Sequence, residues 1–153
     1  MRAQEPGGPL RIIVPFAPGG ISNILARLMA PTLQARPDRN VVVENRPGAG
    51  GNIGADAVAK SRPDGTTLLL PDTSALATNR FLYARTPFDT ARDLVPVQML
   101  IYAPHVMAVN IRLAVRYAAE PVAWVRAHPG QLSFAHSGIG ALTHIVGLSL
   151  AGA

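Results

Sequence analysis

Three stretches of the sequence bring together residue types that can gather backbone amides, hydroxyls or imidazoles around a small ligand. The first is Pro15-Phe16-Ala17-Pro18-Gly19-Gly20, which runs into a helical pattern near Ser22 and Asn23. A strand that empties through a glycine turn into a helix N-terminus presents unpaired amides and the positive end of the helix dipole, which suits an anion. A carboxylate there gains roughly 0.3–1 kcal/mol, or about 2 kcal/mol when partly buried. The same glycines also serve as a plain tight turn, and residue types alone leave both readings open. The second stretch is Ala135-His136-Ser137-Gly138-Ile139-Gly140-Ala141-Leu142-Thr143-His144, again a strand-like run, a Ser/Gly turn and a helix start. Here amides and the Ser137 and Thr143 hydroxyls can converge on an anion. The spacing of His136 and His144 matches no usual metal pair, and no carboxylate lies near in sequence to orient either ring, so they read as surface or helix-facing histidines. The third stretch, Pro47 to Gly54, lies between a strand and a helix as a dinucleotide loop would. Gly48-x-Gly50 is followed by Gly54, one residue later than G-x-G-x-x-G requires, and no Gly-Lys-Ser/Thr is present. A structural glycine loop is the expectation.

Composition removes other classes. The chain has 153 residues, 48% hydrophobic and 15% charged, enough to build a core. Lys+Arg less Asp+Glu is 14 − 9 = +5, with the positive charges scattered singly and Lys60 the one lysine. No basic run suits a nucleic-acid backbone or an anionic membrane, and 5% aromatics are few for base stacking. The absence of cysteine excludes disulfides, thiolate metal sites and a cysteine nucleophile. Three glutamates, no G-x-S-x-G and no H-E-x-x-H leave catalysis without a constellation. The longest apolar stretch, Leu94 to Val109, is broken by Pro96, Gln98, Pro104 and His105, so no membrane span is expected. The N-terminus carries no apolar signal-peptide core, which leaves a cytosolic protein or one written without its export signal.

The elements that must position these stretches alternate. Arg11 to Val14, Val41 to Glu44 and Thr66 to Leu70 read as strands. Ile24, Leu25, Leu28, Met29 and Leu33 form a helical stripe, with Ser22 as its cap, and Gly54 to Lys60 reads as a second helix. This βαβαβ order argues for parallel strands with helices packed on them. Beyond it, Ser74 to Tyr83 reads as a helix, Thr86 to Asp93 as a polar connection and Val97 to Val109 as mostly extended. Pro121 to His128 is a helix, Leu132 to Ala135 a strand, and Leu142 to Leu150 a final helix.

Taken together, Ile13-Val14-Pro15-Phe16-Ala17-Pro18-Gly19-Gly20 and Val43-Glu44-Asn45-Arg46-Pro47-Gly48-Ala49-Gly50-Gly51-Asn52-Ile53-Gly54 closely resemble the Bug family. These are the periplasmic substrate-binding proteins of tripartite tricarboxylate transporters. Pro63 to Leu70, Asn79 with Leu82-Tyr83, Pro129 to Leu132, and Ser137-Gly138-x-Gly140 with His144 fit the same pattern, so the resemblance runs from about Leu10 to Ala153. It implies an α/β, periplasmic-binding-protein-like two-lobe clamshell, here incomplete, with a βαβαβ first lobe and the start of a second. The expected division is a disordered N-terminal remnant over 1–9, a partial first lobe over 10–103 and the beginning of a second over 104–153. Ligand contacts implied by the resemblance are Ala17, Pro18, Gly19, Gly20, Ser22, Asn23, Thr73, Ser74, Ser137, Gly138, Gly140 and Thr143. In the family the two loops face each other across the cleft and grip carboxylates through amides, hydroxyls and waters. Asn23 stands where the family usually has aspartate, and Pro71-Asp72-Thr73-Ser74 replaces a Gly-Thr-Ser-like stretch, so an acidic side chain sits beside the expected site. Tyr117 and Leu148 replace a capping serine and a glutamate.

The function so implied is a non-enzymatic periplasmic receptor that captures a small organic carboxylate for a membrane permease. No cofactor or metal, no nucleic acid and no direct membrane insertion are expected. Two alternatives stand beside it: a small nucleotide-binding α/β enzyme using the Gly48–Gly54 loop, and a non-functional piece of a longer protein.

Overall fold

The computed structural model describes residues 8–35, 40–113, 115–117, 119–131 and 133–152. Most of the expected N-terminal remnant, and Leu132, lie outside these residues. The chain divides into two compact units, one to Pro96 and one from Val97.

In the first unit, β1 (Leu10–Val14), β2 (Val41–Asn45) and β3 (Thr67–Leu69) form a parallel sheet in the order β2-β1-β3. Ile12 sits opposite both Val43 and Leu68, and the ladder continues past the strand ends through Arg46 N–H to Val14 O at 2.8 Å and Leu70 N–H to Ile13 O at 2.9 Å. A central strand is covered on both faces, which is why Ile12, Ile13 and Val14 form an unbroken apolar run and are all buried. On one face Ile12 and Val14 meet Ala26 of α1 (Ile21–Gln34), with Leu33, Val41, Val43 and Leu70 packed around them. Ile13 points to the opposite face by strand alternation, and α2 (Asn52–Ala59), entered through a single 3-10 turn at Ala49–Gly51, packs against β1 and β3.

Three details differ from the sequence expectation. Helix α1 begins at Ile21, with Gly20 as its N-cap and no side-chain cap, so Ser22 lies inside the first turn and is buried. Its buried face runs through Ser22, Asn23 and Ala26, while Ile24 and Leu28 are 52% and 69% exposed. The small residues allow the close approach to the sheet, and the hydrogen bond from Asn23 to Asn45 of β2 fixes the helix rotation. The expected helix over 74–83 is a wide π-turn at Ser74–Thr78 leading into α3 (Asn79–Leu82), which puts Ser74 and Asn79, five residues apart, on one buried side. The polar connection contains a short helix, α4 (Thr90–Asp93), capped by Asp89, whose carboxylate accepts the Ala91 and Arg92 amides at 2.9 and 3.0 Å.

In the second unit, α5 (Ala119–Ala127) packs on α6 (Leu142–Gly152). Glu120 reaches back to accept the amides of Arg116 and Tyr117, as the glutamate arm of a capping box does. Residues 97–109, expected as mostly extended chain, carry no helix or strand, and residues 133–135, the described part of the strand expected over 132–135, are corrected to irregular chain.

Candidate functional site

The Phe16–Gly20 loop leaves the buried end of β1 and enters α1. Pro15 is fully buried, whereas Ala17, Pro18, Gly19 and Gly20 are exposed. Gly19 has φ +93°, a conformation that glycine supplies without strain. Three carboxamide contacts hold the loop. Gly19 N–H donates to Asn23 Oδ1 at 3.3 Å, Asn23 Nδ2 donates to Asn45 Oδ1 at 2.9 Å, and Asn45 Nδ2 donates to Phe16 O at 2.9 Å. Asn23 is buried, so the oxygen and nitrogen of its amide are both engaged inside the protein. An aspartate would lack the donor that meets Asn45 Oδ1. No side chain caps α1, so its first-turn amides, at the positive end of a 14-residue helix and next to the exposed Gly20 and Ile21, have no side-chain acceptor.

Sequence reasoning gave Asn45 no role. The available signal was an asparagine at the end of a strand with a second one just inside the following site helix, since each can donate to and accept from the other.

Thr73 and Ser74 lie at the start of the π-turn. Thr73 is exposed, while Ser74 is buried and its hydroxyl is given to Asp72. Asp72 Oδ1 also accepts the Ser74 amide at 3.0 Å and the Ala75 amide at 3.2 Å. The carboxylate that looked obstructive to an acidic ligand is thus the cap of this turn, with one oxygen holding three donors.

The Pro47–Gly54 loop is packed against the protein's own chain. A Cβ on Gly48 would stand 2.5 Å from Ile53, on Gly51 3.0 Å from Ala75, and on Gly54 2.7 Å from Pro15. At Gly50 it would meet Tyr83 and Asn79 at 3.0 and 3.2 Å. Asn79 is buried and donates to Gly50 O at 2.8 Å and Asn52 Oδ1 at 2.9 Å, which ties the loop to the π-turn. These glycines serve close packing, and the chain itself fills the Cβ side of the loop that a dinucleotide cradle would keep open.

In the second unit, Ser137 Oγ and Thr143 Oγ1 are 2.8 Å apart and the Ser137 amide donates to Thr143 Oγ1 at 3.1 Å. Gly138 N–H donates to His136 Nδ1 at 3.1 Å and Gly140 N–H to His144 Nδ1 at 3.3 Å. Gly138 and Gly140 both have positive φ, +140° and +84°. The two imidazoles lie 4.5 Å apart between centroids, with Phe134 against both at 5.6 and 6.3 Å. Six of the eight residues expected in the first unit's site, Ala17, Pro18, Gly19, Gly20, Ser22 and Asn23, lie at or just before the start of α1, and Thr73 and Ser74 lie at the start of the π-turn. Ser137, Gly138, Gly140 and Thr143 share one turn at the start of α6.

A hollow of about 410 Å³ in the first unit is lined by Leu76, Asn79, Arg80, Phe81, Phe88 and Asp89, among others, and by none of the expected contacts. Among the described residues there is no group of three or more histidine, cysteine, aspartate or glutamate side chains that could hold a metal, and no helix is long and apolar enough to cross a membrane.

A parallel α/β sheet with glycine turns feeding helix N-termini is the construction of periplasmic-binding-protein lobes, and solved structures match it closely. One described as a periplasmic transporter aligns at TM-score 0.81 and 35% identity over 92% of this chain and 47% of its own. An R. palustris protein solved with adipate aligns at 0.77 and 34% identity, over 86% of this chain and 44% of its own. The periplasmic binding protein BugD aligns at 0.71 and 28%, over 97% and 49%. The chain belongs to the tripartite tricarboxylate transporter family of receptors, whose family model matches residues 25–152. Protein BugT of Bordetella pertussis is 43% identical over 142 residues, 92% of this chain and 44% of BugT. A UPF0065 protein from the tcbD–tcbE intergenic region of Pseudomonas sp. is 38% identical over 98% of this chain and 46% of its own length. The chain thus spans about half the length of the curated relatives it matches.

Proposed function

We propose that this chain carries the carboxylate-gripping loops of a periplasmic receptor that captures a small organic acid and passes it to the permease of a tripartite tricarboxylate-type transporter. The observation that carries the reading is the uncapped, exposed N-terminus of α1, reached by a loop that the Asn23–Asn45–Phe16 bonds hold in place before any ligand arrives. Amides fixed in advance bind an anion without first being ordered, which lowers the cost of association. Gly20 and the first-turn amides of Ile21, Ser22 and Asn23 are the donors assigned to a ligand carboxylate, in the turn that the Gly19 N–H to Asn23 Oδ1 bond shapes, and the exposed Thr73 is assigned as a further hydroxyl contact. Ser137, Gly138, Gly140 and Thr143 form the corresponding set in the second unit. Backbone recognition suits carboxylates of varied skeleton, and adipate in a solved relative is a ligand of that class. The net charge of +5 assists encounter with an anion.

Calorimetric titration with adipate tests the reading. A Cβ at Gly20 meets nothing closer than Ala17 O at 3.9 Å, so Gly20→Val is expected to keep the fold while crowding the first-turn amides. Binding that is lost in Gly20→Val and weakened in Ser137→Ala supports the assignment. Binding indifferent to Gly20→Val overturns it.

A further inference from the structure

The paired histidines of the second unit form a device that the carboxylate-binding reading does not use. We propose that His136 and His144 are a proton-operated latch on the Ser137–Thr143 loop. Neutral, they hold the loop's glycine amides; on taking up a proton they release them.

The chemistry follows from which nitrogen does what. Gly138 N–H and Gly140 N–H each point at an Nδ1, and an Nδ1 that accepts a hydrogen bond carries no proton. Both rings are therefore neutral, with the hydrogen on Nε2. A proton arriving on either ring goes to Nδ1, turns that acceptor into a donor and sets it against an amide N–H. The bond cannot survive, and the glycine amide loses its imidazole acceptor beside a new positive charge.

The surroundings leave this equilibrium to the loop itself. Apart from His136 and His144, the segment 133–141 and α6 hold no titratable side chain. Helix α5, packed on α6, brings Glu120, Arg126 and, just past its end, His128. Glu120 is occupied by the Arg116 and Tyr117 amides, and His128 is stacked on Trp124 at 4.3 Å with Nδ1 against Trp124 O at 2.9 Å. Arg126 opposes added positive charge. Among the described residues no carboxylate pairs with either imidazole. The group that would stabilise the protonated latch is an incoming anion.

On the receptor reading, on which this consequence rests, the released amides are ligand contacts. Binding then takes up a proton, and affinity rises on acidification by up to about tenfold per pH unit for one proton. Imidazoles change charge between roughly pH 5 and 8, where a carboxylate ligand stays largely ionised.

The test uses the whole chain and nitrogen-15 NMR, first without ligand. At neutral pH both rings should show the Nε2–H tautomer, and the Gly138 and Gly140 amide resonances should move together with the imidazole signals on acidification. The His136→Asn, His144→Asn double variant places an amide oxygen where each Nδ1 stands and cannot titrate. It should keep both glycine amides bonded at every pH. An Nδ1–H tautomer, or glycine amides that ignore the imidazole titration, overturns the latch. Adipate titrations at pH 7.5 and 6 then read the consequence: tighter binding at pH 6 in the wild type and no pH dependence in the double variant are expected. Equal affinity at both pH values in the wild type overturns the coupling. Absence of adipate binding with the amide titration intact sinks the receptor reading and leaves the latch standing.

Discussion

At the scale of single residues the loop before α1 depends on a side chain from another element. Asn45 Nδ2 holds Phe16 O while its oxygen holds Asn23, so replacing it by alanine leaves a backbone carbonyl and an amide donor without partners. Asn45→Ala should destabilise the first unit by about 1–3 kcal/mol, the cost of unpaired buried polar groups, and urea denaturation reads it directly. Gly54 makes the opposite kind of demand. A methyl there stands 2.7 Å from Pro15 Cβ, 2.9 Å from Pro15 Cα and 3.0 Å from Arg46 O, and backbone atoms cannot step aside as a side-chain tip can. Gly54→Ala should cost about 1–3 kcal/mol through overpacking. Gly65→Ala serves as the contrast. It meets no atom within 4 Å, and its penalty comes from φ +76° alone. No loss in Gly54→Ala would contradict the packing account of the glycine loop.

The elements show where sequence pattern suffices and where it does not. The parallel βαβαβ core was legible because Ile12 to Val14, Val41 to Val43 and Thr67 to Leu69 are short apolar or β-branched runs separated by helix-length spacers. The two glycine turns were legible because a strand, a turn and a helix start leave a mark in residue types. The rotation of α1 was not. Ile24 and Leu28 look like core residues, yet the helix turns Ser22, Asn23 and Ala26 inward with Leu25, Met29 and Leu33 half-buried, and the bond between Asn23 and Asn45, asparagines of different elements, lies on that inner side. The irregular backbone at 133–135 was not legible either. Ser133, Phe134 and Ala135 make a short, weakly patterned run, which becomes a strand only where a partner supplies the ladder.

Between β1 and β2, Arg11 pairs with Glu44 through two contacts of 2.6 and 2.9 Å, and Arg46 adds a third at 3.2 Å. The Arg11 hydrogen bond, reinforced by its charge and by Arg46, holds the Glu44 carboxyl below its ordinary 4.5. A lowered folded-state value adds stability that is complete above the ordinary value and fades as the pH falls through the folded one. Both side chains are about a third exposed, so the contribution is about 0.5–1 kcal/mol. Glu44→Gln should therefore lose that amount near neutral pH and show a flatter stability curve below about pH 4.5 in denaturant melts. An unchanged acid limb would remove the pair from the account.

For the molecule as a whole, the first unit encloses its sheet on two faces, while the segment after Pro96 presents apolar side chains to water. Tyr102 is 88% exposed and Ile111 97%, with Val97, Met99 and Val106 also largely uncovered. Surfaces of this kind associate. Sedimentation velocity should show concentration-dependent self-association of the chain, reduced by Val97→Lys with Val106→Lys; a monomer at all concentrations would contradict it. The central claim, that the glycine turns at α1 and α6 bind carboxylate, is tested most directly by mapping amide chemical shifts on the labelled chain with adipate and, in a separate sample, with NAD. The account predicts saturable shifts from adipate concentrated at Gly19 to Asn23 and at Ser137 to Thr143, and none from NAD. Shifts from NAD clustered at Gly48 to Gly54, with the two turns silent to adipate, would contradict it.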